Sequence, residues 1–374
     1  MKERRLRTWI EIDRNALEKN YRIFRKVIGK KVAMAAVIKS NAYGHNLYLY
    51  AKELERLGID MLAVDSLVEG ISLRKVGITV PMLVLGYTLP SLYTKAGEYG
   101  IAIAISSEDS LNALTRYRGR PLAIHIKVDT GMHRQGFLWT KSAEVLRLLA
   151  RLPKSIRVEG LFTHFAEAKK PTDGARTRKQ IAEFQKWKEA FRISGFNTLA
   201  HASATGGALV YKEAHEDMVR IGIGMYGIWP SAEVRSHRSD LSLTPVLSWK
   251  AIISEVKNIV KGESVGYDFT ESVKKSSRIA IIPIGYWHGF PRLLSGKAHV
   301  LVRGKRAKVL GRVSMDMIVV DVTGVRGVRV GDTVTLIGRD GKERVSAEEM
   351  ATHAQTTAYE ILTRLNPRME HILV

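Results

Sequence analysis

Residues 32–45 read VAMAAVIKSNAYGH. An unbroken run of small and apolar side chains ends on Lys39, and a polar stretch carrying Tyr43 and Gly44 follows at once. Apolar runs of about 4–8 residues with little internal polarity suit strands buried on both faces. This run opens a series: MLAVD (61–65), PMLVLG (81–86), IAIAIS (101–106), LAIHIKVD (122–129), VEGLFTH (158–164), TLAHAS (198–203) and MVRIGIGMYG (218–227). Between the runs lie segments of helical spacing or helix-forming composition: NLYLYAKELERLG, SLVEGISLRKVG, SEDSLNALTRY, SAEVLRLLARL and TRKQIAEFQKWKEAFRISG. Strands alternating with helices up to a count of eight predict a closed (β/α)8 barrel, class α/β. The competing open, doubly wound sheet would place a Gly-rich GxGxxG turn after its first strand. KSNAYGH is not such a turn.

The pattern changes near residues 230–244, where WPSAEVRSHRSDLSLTP is polar, has a proline near each end and reads as a linker. Beyond it come VLSWKAIISEVKNIV, SRIAIIPIGY, HVLVRG, RAKVLG, MIVVDV and DTVTLIG, separated by turn signals. They predict a β-rich second domain in which only SAEEMATHAQTTAYEILTRL looks helical. The expected division is therefore a barrel over 1–235 and a β-domain over 236–374.

Composition narrows the function. Among 374 residues, 59 Lys and Arg outnumber 37 Asp and Glu, for a net charge of +22. Such a surface attracts anions, but the basic residues are scattered, and neither zinc-finger spacing nor an RNA-binding aromatic signature accompanies them, so no nucleic-acid partner is expected. With no cysteine there can be no disulfide, thiolate metal site or catalytic thiol, and no metal site is expected. No apolar run approaches the roughly 20 residues that span a bilayer. The charged opening MKERRLRTWIEIDRN lacks the apolar core of a secretory signal. The expectation is a cytoplasmic enzyme with no membrane partner.

In a barrel of this kind the chemistry sits at the C-terminal ends of the strands. Lys39 ends the first; Lys127 and Asp129 end the fifth; His164 ends the sixth; His201 and Ser203 lie near the end of the seventh; Arg220 lies within the eighth. Lys39 has two readings. A lysine leaving a buried strand can simply snorkel to water, or a desolvated amine can form a Schiff base with a carbonyl compound. Tyr43 could pack on a bound ring, and Gly44 would let backbone approach closely.

AVIKSNAYGH resembles the pyridoxal phosphate (PLP) signature of the alanine racemases, and the likeness runs the length of the chain. TWIEIDRNALEKN resembles the family's opening helix, and HIKVDTGMHRQGF, GLFTHFAEA, VRIGIGMYGIWPS, GESVGYDFT, IPIGYWHGFPR, GRVSMDMIVVDVT and TTAYEILTRLNPR follow in order. The resemblance implies a barrel followed by a β-domain, PLP as cofactor, interconversion of L- and D-alanine, and D-alanine supplied for peptidoglycan. It also implies a homodimer whose active sites are shared between subunits, with the final helical segment and Tyr359 returning to the barrel.

By that resemblance Lys39 carries the cofactor and moves a proton on one face of the substrate, while Tyr267 of the partner subunit serves the opposite face. Inverting a carbon needs one proton carrier on each side, so the pairing is chemically coherent. Arg220 matches the arginine facing the pyridine nitrogen, and His164 the histidine bonded to it. A buried arginine paired with a carboxylate such as Asp217 is the plain structural alternative. Thr205, Gly222, Ile223 and Tyr359 match phosphate-cradling positions, where hydroxyls and amides can donate. Arg134 and the Met315 amide match contacts to the substrate carboxylate. Lys127 matches a lysine often carbamylated, which would hold Arg134; an unmodified Lys127 paired with Asp129 is the alternative.

The chain also departs from the family pattern. Ala204 stands where asparagine is usual, Thr205 for serine, Trp287 for alanine, His288 for aspartate, Lys169 for a frequent aspartate and Ser314 for cysteine. Trp287 and His288 fall in the family's substrate entryway and keep a broader racemase, acting on serine as well as alanine, in view. A fold-related PLP decarboxylase would carry an acidic residue at position 220. A non-catalytic PLP-binding barrel would lack the β-domain and Tyr267.

Overall fold

A computed structural model describes residues 6–374; the basic opening at 1–5 lies outside the described residues. The chain forms two compact units. One comprises Leu17–Ala42 and Leu47–Thr244; the other comprises the stretch up to Ala16, Tyr43–Asn46 and Pro245–Val374.

The chain opens on a strand, β1 (Thr8–Ile12), and a helix, Arg14–Ile28. In the helix Leu17, Asn20, Phe24 and Ile28 are buried at three- and four-residue spacing, one stripe of a 3.6-residue period. The parallel strands of the first unit follow: β2 (Ala33–Val37), β3 (Met61–Val64), β4 (Met82–Val84), β5 (Ala102–Ile105), β6 (Leu122–Lys127), β7 (Ile156–Phe162), β8 (Leu199–His201) and β9 (Met218–Ile221). They pair in the order β8-β7-β6-β5-β4-β3-β2-β9. The sheet ends meet: Asp217 N donates to Ala200 O at 3.1 Å, Arg220 N to Ser203 O at 2.9 Å, and Ala204 bridges Arg220. That closure gives the eight-stranded barrel and excludes the open sheet. Every residue of β6 is buried, as expected for a strand covered on both faces.

The intervening helices start where their sequences cap them. Ser66 and Ser107 accept the Glu69 and Ser110 amides at 3.3 Å and begin helices Leu67–Lys75 and Glu108–Thr115. The polar stretch 230–244, read as a linker, contains a short helix, Ala232–His237. Ser231 caps it by accepting the Val234 amide at 3.2 Å, a serine cap outweighing the flanking prolines.

The second unit carries one long sheet whose strands run in the order 255–259, 277–282, 318–321, 305–310, 299–302, 333–340, 247–252, 8–12, 370–373. TWIEI, taken in sequence with the opening helix of the barrel region, is therefore a strand of the β-rich unit. It pairs antiparallel with Leu247–Ile252 and parallel with Glu370–Leu373. The final helical segment is two helices, Ala347–His353 and Ala358–Thr363, separated at Gln355, whose φ of 54° leaves the right-handed region.

In β7, Gly160 is required by a neighbour. A Cβ there would meet His125 Nδ1 at 2.1 Å, beside the point where the β6–β7 register shifts between Ile124 and His125. Gly160→Ala is expected to cost about 1–3 kcal/mol, as overpacking in a filled core does. A lowered urea midpoint with an unchanged slope will show it.

Candidate active site

Lys39 leaves β2 at the C-terminal end of the barrel and enters a turn of opposite hand. Ser40, Asn41, Ala42 and Tyr43 have φ of 55°, 56°, 51° and 50°, and Gly44 follows at 80°. For L-residues this conformation costs roughly 1–2 kcal/mol each, so the neighbours must enforce it. Ala42 N donates to Ile38 O at 2.8 Å, Ser40 N to Glu69 Oε1 at 2.8 Å, and Leu47 N to Asn41 Oδ1 at 2.9 Å. Glu69 also accepts the Asp65 amide at 2.9 Å, tying the ends of β2 and β3 together. Lys39 Nζ lies 2.8 Å from Asp65 Oδ1.

Arg220 sits on β9 with 2% of its surface exposed. Its Nη2 donates to the carbonyls of Thr163 and Ala202 at 2.7 and 2.9 Å, and its Nη1 to the carbonyl of His201 at 2.9 Å. Nη1 also lies 2.9 Å from His201 Nδ1, and Nη2 3.4 Å from His164 Nδ1. No carboxylate reaches the guanidinium among the described residues. Asp217, the candidate partner, instead accepts the Ala200 amide at 2.8 Å. Burial lowers Arg220 to about 9, still cationic at neutral pH. Its Nε is engaged by no acceptor among the described residues, which leaves one donor of a buried cation to offer to a bound group.

Because a guanidinium can only donate, His201 Nδ1 must accept and His201 Nε2 must carry the proton. That proton points at His125 Nδ1, 2.8 Å away. The direction of the chain therefore fixes both tautomers, and both rings are neutral. Burial and the Arg220 charge hold His125 down to about 4 and His201 well below the ordinary histidine range. Phe162 stacks on His201 with ring centroids 4.7 Å apart. His164 is lowered to about 3 by burial and then by Arg220, Arg134, Lys127 and Lys39.

Lys127 ends β6 on the same face as His125. Burial, then Arg134, Arg220 and Lys39, lower it to about 8. Its Nζ donates to Gln135 Oε1 at 3.1 Å. It forms no ion pair with Asp129 among the described residues. Asp129 Oδ1 is occupied by the amides of Gly131, Met132 and His133 at 2.8, 2.9 and 3.1 Å. Beside β9, Thr205 Oγ1 accepts the amides of Gly222 and Gly224 at 3.1 and 3.3 Å.

With both halves of the chain in view, the comparison is direct: residues 12–230 match "Alanine racemase, N-terminal domain" and residues 246–373 match "Alanine racemase, C-terminal domain". The chain belongs to the alanine racemase family. The alanine racemase of Methanococcus maripaludis is 37% identical, over 97% of this chain and 98% of its own length. The crystal structure of alanine racemase from Bacillus anthracis with bound L-Ala-P superposes with a TM-score of 0.93 at 33% identity, covering 99% of this chain and 95% of that one. A histidine racemase from Leuconostoc mesenteroides gives 0.89 at 30%, covering 99% of both.

The racemase-family residues divide between the two units. Lys39, Lys127, Arg134, His164, Thr205, Arg220, Gly222 and Ile223 lie in the barrel, and the charges of Lys39, Arg134 and Arg220 reach both Lys127 and His164. Tyr43, Tyr267, Met315 and Tyr359 lie in the second unit. There Tyr43 and Tyr359 rings stand 5.9 Å apart, and burial pushes the Tyr359 phenol up to about 12. Tyr267 is 68% exposed, and Met315 is exposed beside Trp287, whose amide donates to Met315 O at 3.0 Å. His288, by contrast, is buried and accepts the Gly285 amide at 3.2 Å.

Sequence reasoning passed over Asp65, Gln135 and His125. The first two were within reach of rules already in use: Asp65 ends MLAVD as Lys39 ends its strand, and Gln135 lies in the same loop as Arg134. His125 lies two residues before Lys127, so the alternation of a strand puts both on one face.

The neutral histidines make stability depend on pH. An unfolded histidine binds its proton near pH 6.5, whereas folded His125 does so only near 4, so stability is lost as pH falls between these values. His125→Gln keeps an acceptor for His201 and cannot titrate. Its unfolding free energy is expected to fall less steeply between pH 6.5 and 4.5, by up to about 1.4 kcal/mol per pH unit. Urea unfolding of both proteins across that range measures it.

Proposed function

We propose that this chain interconverts L- and D-alanine with pyridoxal 5′-phosphate as cofactor. The observation that carries this reading is Arg220: a buried guanidinium with no carboxylate partner, flanked by neutral histidines and holding one donor in reserve at the end of the barrel where Lys39 lies. That arrangement suits a ring nitrogen acting as acceptor. An acidic residue there, as expected of a decarboxylase, is missing.

The residues present fit the cofactor. Lys39 would attach it covalently, Arg220 would donate to its ring nitrogen, and His164 would buttress Arg220. Thr205, the Ile223 amide, Tyr359 and the Gly222 amide, which would first leave Thr205 Oγ1, would hold the phosphate, and Tyr43 would line the site. When bound, PLP withdraws electrons from the substrate α-carbon and makes its proton labile. Arg220, which donates a hydrogen bond rather than a proton, would keep the ring a restrained electron sink. Arg134 and the Met315 amide would orient the substrate carboxylate. Lys39 would then take or return the proton on one face, and the Tyr267 phenol would do so on the other.

The exposure of Tyr267 supports a homodimer in which this phenol serves the site of the partner subunit. Lys127 is the proposed site of carbamylation. At about 8 it has an appreciable neutral fraction near neutral pH, and a neutral amine can add carbon dioxide, forming an N–C bond with loss of a proton. The carbamate would hold Arg134. The barrel is thus the cofactor-binding domain of the proposal, in a cytoplasmic enzyme supplying D-alanine for peptidoglycan. A broader specificity is a second reading, favoured by the exposed Trp287 and by the histidine racemase among the structural neighbours. Turnover of alanine, serine and histidine side by side decides between them.

Lys39→Ala is expected to abolish both racemisation of L-alanine and borohydride-trapped cofactor on the peptide carrying residue 39. Tyr267→Phe should retain the cofactor and lose about 10²–10⁴-fold in rate. Mixed dimers of the two inactive variants should regain activity, because one shared site recovers both groups; lasting inactivity would refute sharing. Wild-type protein in labelled bicarbonate should show a carbamate carbon signal that Lys127→Ala lacks.

A further inference from the structure

The amine of Lys39 has a partner that the proposed chemistry does not use. β2 and β3 are parallel neighbours in which Val37 pairs with Ala63. Two residues further along each strand, Lys39 and Asp65 face one another, Nζ to Oδ1, at 2.8 Å. The pairing is built into the backbone. Ile38 N donates to Ala63 O at 2.9 Å, and Glu69 accepts both the Ser40 and the Asp65 amides. Glu69 is thereby committed to backbone, while the Asp65 carboxylate faces Lys39.

The other charged and titratable groups around Lys39 cannot play this part. Lys127, Arg134 and Arg220 are cations, and His164 is neutral with its Nδ1 turned to Arg220. Asp129 has one oxygen occupied by three amides, and its other lies 3.9 Å from His133 Nδ1. The lysine and aspartate side chains are 36% and 53% exposed, so both are within reach of an entering molecule.

We propose that Asp65 is a positioning residue for Lys39, holding the free ammonium at the barrel mouth so that attachment of an aldehyde cofactor must first open this ion pair. The inference rests on the cofactor reading above. Attachment forms a C=N bond, expels the carbonyl oxygen as water and releases the ammonium proton to solvent. An amine engaged by the Asp65 carboxylate must leave it before it can reach a carbonyl carbon. Exposed pairs are modest in strength, so the brake amounts to roughly a two- to five-fold effect on rate at neutral pH.

The test is stopped-flow mixing of the full-length protein, stripped of cofactor, with pyridoxal phosphate, following growth of the imine absorbance. Asp65→Asn should attach the cofactor roughly two- to five-fold faster at neutral pH, with the advantage fading in alkaline solution, where the amine is uncharged in both proteins. Asp65→Glu, which keeps the carboxylate, should stay close to wild type. Matching thermal melts establish that the variants are folded. The proposal is overturned if Asp65→Asn attaches at the wild-type rate. It is also overturned if the gain is equal at every pH and pyridoxamine phosphate, which has no aldehyde, gains the same affinity, because the carboxylate then acts only on cofactor charge. Failure of wild type to attach pyridoxal phosphate at all would instead strike the cofactor reading, and the inference with it.

Discussion

A guanidinium buried inside a barrel without a carboxylate is the constraint on which the site depends. An unpaired buried charge is costly, and Arg220 is tolerated because three carbonyls converge on it from the ends of β7 and β8. This fixes the neighbours. His201 must present a lone pair to Arg220 and therefore a proton to His125, and burial beside the cation keeps both rings neutral near neutral pH. His125 in turn crowds β7, so that a side chain at residue 160 would force its ring to shift. One charge thus sets two tautomers, and the ring of the second lies against Gly160 beside the β6–β7 register shift.

The same charge shapes the surroundings. The charges of Lys39, Arg134 and Arg220 all reach Lys127 and His164, and the Asp65 and Asp129 carboxylates near them are committed to Lys39 and to backbone amides. Burial, reinforced by the crowding of like charges, lowers Lys127 to about 8 and so gives it a neutral fraction near neutral pH. A cluster of positive charge at the strand ends attracts anionic small molecules.

The barrel was legible because its strands are apolar on both faces and its helices are not, so the alternation survives in the composition. Lys39, Lys127 and His164 could be singled out because they end such strands, but each also had a plain structural reading, and their roles, like that of Arg220 within its strand, came from the family resemblance. The second unit was less so. TWIEI is short, precedes a strongly amphipathic helix, and finds its partners more than two hundred residues away, at Leu247–Ile252 and Glu370–Leu373. No local pattern encodes a pairing of that range. The split of the final helical segment at Gln355 was hidden for a related reason: its composition favours helix, and only a backbone angle ends it. Asp65 and Gln135 escaped because their parts are defined by what lies beside them, Lys39 and Lys127, and not by their own residue type.

The turn from Ser40 to Tyr43 bears on how freely this segment can vary. Four successive L-residues of the wrong hand exclude proline, whose ring fixes φ near −65°, and disfavour β-branched side chains, for which positive φ is a genuine outlier. Gly44 is closed from the other side, since any Cβ there would run into the carbonyl of Leu362 at 2.1 Å. The alphabet open to the residues after the lysine is therefore narrow before any chemistry is asked of them. Stereochemistry alone limits which side chains this segment accepts, whatever ligand it serves.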